Sequence, residues 1–270
     1  LAALAMIYGV LFVLPIGGAD MPVVISLLNS ITGIATAFTG LVYGNKVMIA
    51  GGIFVGAAGI FLTLLMCTAM NRSLMKVLAG KFKKSTGTAS EEDQEIKEIS
   101  ISETALALSF AQKVAVIPGY GLAVAQAQHI CAQLDQLLDK RDCEVNYIIH
   151  PVAGRMPGHM NVLLAEANID YSRLKEMDEG NEMMSEYDVV LVIGANDVVN
   201  PAAENNPDSP VYGMPIIRAH EAKQVVVMKR GMSKGYAGVV NELFELDNCS
   251  LLFGDAKASL QDIVNQLKLI

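Results

Sequence analysis

Two glycines, Gly119 and Gly121, follow a short run rich in β-branched residues and precede a helix-like stretch. Val124 completes a G-x-G-x-x-V pattern, with valine where the dinucleotide-binding fingerprint has its third glycine. In that fingerprint the first glycine permits a tight turn, and the second lets the backbone approach a pyrophosphate. Because the pattern lies between a predicted strand and a predicted helix, nucleotide binding is favoured over a structural turn.

Charged residues at two later positions indicate which dinucleotide the site prefers. An NAD site places Asp or Glu about 20 residues beyond the glycines, whereas this sequence has His150 and then Arg155 in that region. A basic pair, Lys229 and Arg230, ends another apolar run and opens the glycine-rich segment 231–238. Basic residues at the carboxyl end of a strand can bind a 2′-phosphate, so the spacing favours NADP. The alternative is that the pair ends a strand as solvated charge.

Two more polar residues allow two interpretations each. Asp197 closes the segment 194–197 after an apolar run; it is either a loop cap or, because it reaches the same edge of the predicted sheet, part of the site. His150 is either a hydrogen-bonded core residue or a proton carrier.

Short apolar runs alternate with helix-like stretches after residue 101, which is typical of a parallel sheet covered on both faces. The predicted strands are residues 114–117, 145–149, 189–193, 216–218, 225–228 and 250–253. The predicted helices are residues 104–112, 122–139 and 256–269, the first preceded by a capping box of Ser100 and Glu103. We therefore expect α-helical transmembrane segments followed by a Rossmann-like, doubly wound α/β domain.

The first 70 residues have a different composition from the rest. The chain is 52% hydrophobic with a mean hydropathy of +0.39, yet Asp20 and Lys46 are the only charged residues before residue 71. Apolar helices are predicted at about 1–14, 22–43 and 47–70. The first is short for a span and has no initiating methionine, so we expect a truncated helix of a longer protein.

Three regions follow from these patterns: membrane helices in 1–79, a polar linker in 80–101 and a nucleotide-binding domain in 102–270. Lysines cluster after the third apolar run, at Lys81, Lys83 and Lys84 among others. The positive-inside rule then places the C-terminal domain on the cytoplasmic or matrix side of a bacterial or mitochondrial-type inner membrane.

Composition argues against several other functions. The net charge of −8 provides no basic stripe for nucleic acid. The four cysteines show no CxxC spacing and no histidine cluster accompanies them, so we expect neither a disulfide nor a metal site.

Polar residues also occur inside the predicted spans. Small residues spaced four apart, such as Gly52 and Gly56, favour close helix packing. Asn29 is costlier to place in lipid, so we expect it to face a bundle interior or a hydrated path, which Asp20 could supply.

Taken together, these motifs resemble the β subunit, or the corresponding C-terminal part, of proton-translocating nicotinamide nucleotide transhydrogenases. The segments that carry the resemblance are residues 20–30, 66–73, 118–122, 150–166, 194–197, 229–230, 235–238 and 254–257. The resemblance implies an NADP(H)-binding domain that holds the nucleotide in a reversed orientation relative to ordinary Rossmann enzymes.

The resemblance also implies roles for particular residues. The nucleotide contacts would be Gly119, Tyr120, Gly121, Val152, Ala153, Gly154, Arg155, Met156, Pro157, Gly194, Ala195, Asn196, Asp197, Val198, Gly213, Met214, Lys229, Arg230, Gly231, Met232, Ser233, Lys234, Gly235, Tyr236, Asp255 and Ala256. Lys229 and Arg230 would bind the 2′-phosphate, and the loop to Tyr236 would form a lid. His150, Arg155 and Asp197 would couple redox state to protonation, with no protein acid or base in the chemical step. Asn29, Asp20 and Arg72 would lie on the proton path.

The function implied is hydride transfer between NAD(H) and NADP(H), coupled to proton translocation. NAD(H) would bind a partner α subunit or domain, the remaining transmembrane helices would belong to the same complex, and the whole enzyme would be a homodimer. The alternative is a membrane-tethered NADP(H) sensor that gates a channel without catalysis.

Overall fold

The computed structural model describes residues 2–14, 16, 21–70, 73–78, 96–154, 156–209, 211–233, 235 and 237–270. The chain divides into two compact units, Leu1–Ala89 and Ser90–Ile270. Most of the expected linker lies outside the described residues, and so do five predicted site residues: Asp20, Arg72, Arg155, Lys234 and Tyr236.

Four helices form the described part of the first unit. They are α1 (Ala2–Val13), α2 (Met21–Tyr43), α3 (Lys46–Ala69) and α4 (Leu74–Leu78). By length and composition, α2 and α3 can cross a membrane, and their bounds lie within one residue of the predicted 22–43 and 47–70. The helix α1 has 12 residues, which is short of a full span.

Helices α2 and α3 pack against each other through glycines and serines. A Cβ atom on Gly52 would lie 2.4 Å from the backbone nitrogen of Ala37, and one on Gly33 would lie 2.6 Å from that of Gly56. The Ser30 hydroxyl donates a hydrogen bond of 2.7 Å to the Gly56 carbonyl oxygen. The predicted close packing through small residues is therefore confirmed.

The second unit is an α/β domain built on a parallel sheet. Its described strands are β1 (Lys113–Pro118), β2 (Glu144–Ile149), β3 (Leu174–Glu176), β4 (Val189–Ile193), β5 (Gln224–Lys229) and β6 (Cys249–Phe253). The strand order is β3-β2-β1-β4-β5-β6, and the paired strands are parallel. This is the order of doubly wound dinucleotide-binding folds, so the predicted fold class is confirmed.

Helices cover both faces of this sheet. They are α5 (Ile101–Phe110), α6 (Tyr120–Ala125), α7 (Gln128–Asp139), α8 (His159–Glu166), α9 (Met177–Glu182), α10 (Ala202–Asn205) and α11 (Ala256–Leu267). Successive residues of β1 point to opposite cores: Val114 and Val116 to one, Ala115 and Ile117 to the other. Because both faces are buried, the central strands have continuous apolar sequences.

One predicted strand is wrong and one strand was missed. Residues 216–218 do not form a strand; the Ile217 N–H donates instead to the carbonyl oxygen of Val198, in the 3-10 turn Asp197–Val199 that follows β4. Ile217 is fully buried, so its apolar segment resembled a strand without taking a place in the sheet. The missed strand is β3, a three-residue edge strand that is only partly buried and has no apolar run.

The predicted helix 122–139 is two helices. Gln126 ends α6 in a left-handed conformation (φ 51°), and its N–H donates to the carbonyl oxygens of Leu122 and Ala123. The predicted capping box is confirmed: Ser100 and Glu103 bond each other's backbone N–H groups at the start of α5. That helix begins at Ile101, three residues earlier than predicted.

Candidate functional site

The carboxyl ends of the parallel strands bring most of the described site residues to one edge of the sheet. Gly119 follows β1, His150 follows β2, Gly194 follows β4 and Arg230 follows β5. Strands β1 and β4 are neighbours, although β2 and β3 come between them in the chain. This is the topological switch point, where ligands bind in open α/β sheets.

The fingerprint turn packs tightly on the loop that follows β4. The Gly121 N–H donates to the Gly194 carbonyl oxygen over 2.9 Å. A Cβ atom on Gly119 would lie 2.3 Å from that same oxygen, and one on Gly121 would lie 2.6 Å from the Gly194 Cα. The glycines therefore let two protein loops meet, which the fingerprint alone does not predict.

Asp197 holds the glycine-rich segment after β5 against the loop after β4. Its Oδ2 accepts a hydrogen bond of 2.9 Å from the Ala237 N–H, and its Oδ1 accepts one from the Asn196 side chain. A Cβ atom on Gly235 would lie 2.2 Å from that Oδ1. Asp197 thus joins the two loops between which a nucleotide is expected.

Two buried asparagines, which sequence reasoning missed, connect the same loops. The Asn200 side chain donates to the Val240 carbonyl oxygen, and the Asn241 side chain donates to the Asn196 carbonyl oxygen. They are 0% and 2% exposed, respectively. Buried amides need partners, so their bonds stabilise this loop arrangement. Apolar runs do not reveal polar residues such as these. Their neighbours, Pro201 after Asn200 and Glu242 after Asn241, indicate a turn or a helix start at each position but not the buried contacts.

Lys229, the last residue of β5, lies between the loop after β4 and the segment after β5. Its Nζ is 3.4 Å from the Asn196 Oδ1, 3.3 Å from the Ser233 carbonyl oxygen and 4.3 Å from the centre of the Phe244 ring. Burial lowers the pKa of Lys229, and the Asp197 carboxylate acts in the opposite direction. Arg230, the next residue, is exposed. The positive charges of Lys229 and Arg230 are placed to bind an anionic group at the carboxyl edge of the sheet.

His150 lies at the end of β2 and is 1% exposed. Its Nε2 is 2.7 Å from the Pro215 carbonyl oxygen, and its Nδ1 accepts from the Val152 N–H. This pattern is that of a neutral ring protonated at Nε2. Burial lowers the pKa of His150, partly offset by the bond to Pro215. The burial and the two hydrogen bonds are those of a hydrogen-bonded core residue, the first of the two interpretations.

The lowered pKa of His150 predicts a loss of stability in mild acid. Below the ordinary value of 6.5 the unfolded chain takes up the proton first, so the free energy of unfolding falls as the pH falls. The slope is at most about 1.4 kcal/mol per pH unit for one proton. Hydrogen exchange of the β1 and β4 amides between pH 7.5 and 5.0 measures it. The slope should flatten in His150→Gln but not in a variant of the exposed His129, His129→Gln; equal slopes would contradict the assignment.

The other predicted contacts occupy the neighbouring loops. The Ala153 N–H donates to the His150 carbonyl oxygen, and Met156 is 56% exposed. Gly213, at φ 78°, donates its N–H to the Ala203 carbonyl oxygen. The Asp255 carboxylate accepts from two N–H groups at the start of α11, so it caps that helix.

In the first unit, Asn29 is exposed whereas Ser26 and Ser30 are buried. Thr32, Thr36 and Thr39 follow Asn29 at intervals of three or four residues, so they share one side of α2. Each threonine hydroxyl donates to the carbonyl oxygen four residues earlier. Asn29 and these threonines therefore form a polar strip on α2 that borders the side packed against α3, since Gly33 lies four residues after Asn29.

Comparison of the sequence with known proteins identifies the family of this chain. A family model described as NAD(P) transhydrogenase beta subunit matches residues 1–266. Two relatives from Rhodospirillum rubrum, both called NAD(P) transhydrogenase subunit beta, are 49% identical over 271 residues. The match covers 99% of this chain but 58% of each relative, so the chain spans about three-fifths of their length.

Similarity to solved structures is much weaker. A thiamin diphosphate-dependent enzyme from Mycobacterium smegmatis gives a TM-score of 0.36 at 12% identity, covering 62% of this chain and 27% of that one. An exopolyphosphatase-related protein from Bacteroides fragilis gives 0.32 at 13%, covering 62% and 43%. Similarities at this level carry no argument, and the family rests on sequence: this chain belongs to the NAD(P) transhydrogenase beta-subunit family.

Proposed function

We propose that this chain is the NADP(H)-binding and proton-channel part of a transhydrogenase that moves hydride between NAD(H) and NADP(H) while protons cross the membrane. The observation that carries the proposal is the meeting of Gly119, Gly194 and Lys229 at the switch-point edge of the sheet. The family and the two candidate membrane helices support the same function.

The cations at the end of β5 support NADP(H) over NAD(H). Lys229 and Arg230 supply positive charge at the edge where a ribose is expected. The equivalent acidic residue of NAD sites is missing after β2, where His150 makes two backbone contacts instead. A 2′-phosphate gives these cations a partner, whereas a plain ribose hydroxyl does not.

The closed fingerprint turn supports the reversed orientation of the nucleotide. In ordinary Rossmann sites the backbone at the second glycine faces the pyrophosphate. Here the Gly121 N–H donates to the Gly194 carbonyl oxygen and the two backbones lie in close contact, so this N–H is already engaged within the protein. The segment after Lys229 serves as the lid, which Asp197 holds through Ala237.

The protein's part in the chemistry is positioning. Hydride passes directly between the two nicotinamides, so no side chain needs to accept or donate a proton in that step. Lys229 and Arg230 hold the 2′-phosphate, and Asp197 fixes the lid. The NAD(H) site belongs to an α-subunit partner, in a homodimeric complex whose other membrane helices complete the channel.

The polar strip on α2 supports the proton path. Asn29, Thr32 and Thr39 are exposed and Thr36 is partly exposed, so their oxygen and nitrogen atoms lie on a side of α2 that the packing with α3 leaves largely uncovered. Polar groups at membrane depth are costly unless they face other helices or water. Proton passage biases the open and closed states of the nucleotide site, and this coupling is reciprocal. The α/β domain faces the cytoplasm or matrix.

The proposed function is tested by adding an NAD(H)-binding partner. The chain is mixed with an NAD(H)-binding transhydrogenase α subunit, and reduction of an NADP analogue by NADH is followed optically. The proposal predicts turnover that requires both proteins. Tight NADP binding without hydride transfer would instead support the sensor alternative.

Replacing Asn29 by leucine tests the proton path. In vesicles carrying the assembled complex, we expect Asn29→Leu to lower proton-coupled turnover about tenfold or more, because the polar path loses its amide. NADPH affinity measured without a proton gradient should stay within about twofold, since Asn29 is not in the α/β domain and no proton flow then biases the nucleotide site. The control is Ile31→Leu, an apolar exchange at an exposed position of the same helix. Unchanged pumping in Asn29→Leu would sink the assignment.

A further inference from the structure

The aromatic ring of Phe244 lies against the Lys229 ammonium group. The Lys229 Nζ is 4.3 Å from the ring centre, which is within the range of cation–π attraction. Phe244 is 4% exposed and belongs to a buried apolar cluster, so its ring cannot turn away freely.

The backbone around Phe244 is fixed by the two buried asparagines. Phe244 lies in the 3-10 helix Glu242–Glu245. The Asn241 side chain caps that helix by accepting from the Leu243 N–H, and the Asn200 side chain accepts from the Glu242 N–H. Asn241 also donates to the Asn196 carbonyl oxygen. These hydrogen bonds hold the backbone that carries the Phe244 ring against the loop after β4.

The Phe244 ring differs from the other neighbours of Lys229 because it attracts the ammonium group without using one of its N–H donors. The Asn196 Oδ1 and the Ser233 carbonyl oxygen, at 3.4 and 3.3 Å, each engage an N–H donor. The ring face attracts the charge as a whole. An ammonium group has three donors. The ring thus stabilises the cation in place while leaving donor capacity for an anionic ligand.

We infer that Phe244 is a positioning residue for dinucleotide selection: its ring face holds the Lys229 ammonium group where it binds the 2′-phosphate of NADP(H). The inference rests on the proposed function, because it requires Lys229 to bind that phosphate. Phe244 itself does not touch the ligand. It acts by restricting the flexible lysine side chain to the edge of the sheet.

The test is the ratio of the NADH and NADPH dissociation constants, measured by calorimetry on the full chain. Phe244→Leu and Phe244→Met keep apolar bulk and remove the ring face; each should lower the ratio about fivefold. Phe244→Tyr keeps the ring and should hold the ratio within twofold. If Phe244→Leu does not fold, Phe244→Met decides, because methionine adapts to irregular space.

A role in folding alone predicts a different pattern. Equal weakening of both nucleotides, or an unchanged ratio, overturns the inference. In a Lys229→Met background, Phe244→Met should change the ratio no further, and an additional fivefold loss would also overturn it. The proposed function fails separately, if the unaltered chain shows no preference for NADPH or if Lys229→Met leaves that preference intact.

Discussion

Replacing Lys229 with methionine should weaken NADPH binding about 10- to 100-fold and leave NADH binding nearly unchanged. Methionine keeps apolar bulk near Phe244 but removes the charge at the end of β5. A hydrogen bond to a charged group contributes about 1.5–3 kcal/mol, which corresponds to roughly 10- to 150-fold in affinity. Calorimetric titration with both nucleotides measures the difference.

The control for Lys229 is a lysine with the same charge away from the site. Lys140 is exposed at the end of α7. Lys140→Met should change neither dissociation constant by more than about twofold, since exposed charges beyond a Debye length, about 8 Å in physiological salt, are screened. An equal loss of NADPH affinity in both variants would indicate a general charge effect and contradict the phosphate assignment.

Replacing Gly194 with alanine should disrupt the switch-point edge. Gly194 has φ 65°, which costs a residue with a Cβ atom about 1–2 kcal/mol. The added Cβ would also lie 2.3 Å from the Gly121 Cα, and overpacking costs about 1–3 kcal/mol. We expect the free energy of unfolding to fall by about 3 kcal/mol or more, and NADPH binding to be largely lost. Hydrogen exchange of the β1 amides and calorimetry give the two readings.

A matched variant, Gly158→Ala, distinguishes the cost of the positive φ from the cost of the close contact. Gly158 also has a positive φ, 77°, but a Cβ atom there would meet nothing within 4 Å. Gly158→Ala should therefore lose only the conformational part, about 1–2 kcal/mol. If the two variants lose the same stability, the close contact between the loops after β1 and β4 is not what Gly194 provides.

The sequence patterns were most informative where burial was complete. Strands β1, β2, β4 and β5 are buried along almost their whole length, and their apolar runs identified them within one residue at each end. The partly buried β3 has no such run. The segment containing Ile217 shows the opposite failure, because burial without a place in the sheet looks the same in sequence.

The site was predictable in its location but not in its contacts. Glycines and cations after apolar runs must meet at the carboxyl edge of a parallel sheet, so Gly119, Gly194 and Lys229 were expected together. Their partners depend on long-range loop packing: the Gly121 bond to Gly194 and the ring of Phe244 beneath Lys229. Residues 244 and 229 are linked by no pattern or period in the sequence.

The lengths of the membrane helices were likewise predictable, whereas their individual side-chain contacts were not. Apolar runs of about 20 residues suffice to find α2 and α3, and small residues identify the side on which they pack. The hydrogen bond from the Ser30 hydroxyl to the Gly56 carbonyl oxygen depends on how the two helices pack, and no spacing in the sequence identifies it.

The most direct test of the proposed function follows one hydrogen atom. NADH carrying deuterium at the transferred position is mixed with NADP⁺, the chain and an NAD(H)-binding α subunit, and the NADPH formed is analysed by mass spectrometry. Direct transfer between nicotinamides predicts that the deuterium appears in NADPH without dilution by solvent protons. Loss of the label to water, or no labelled NADPH despite tight binding of both nucleotides, would contradict the proposal that this chain holds the NADP(H) half of a transhydrogenase.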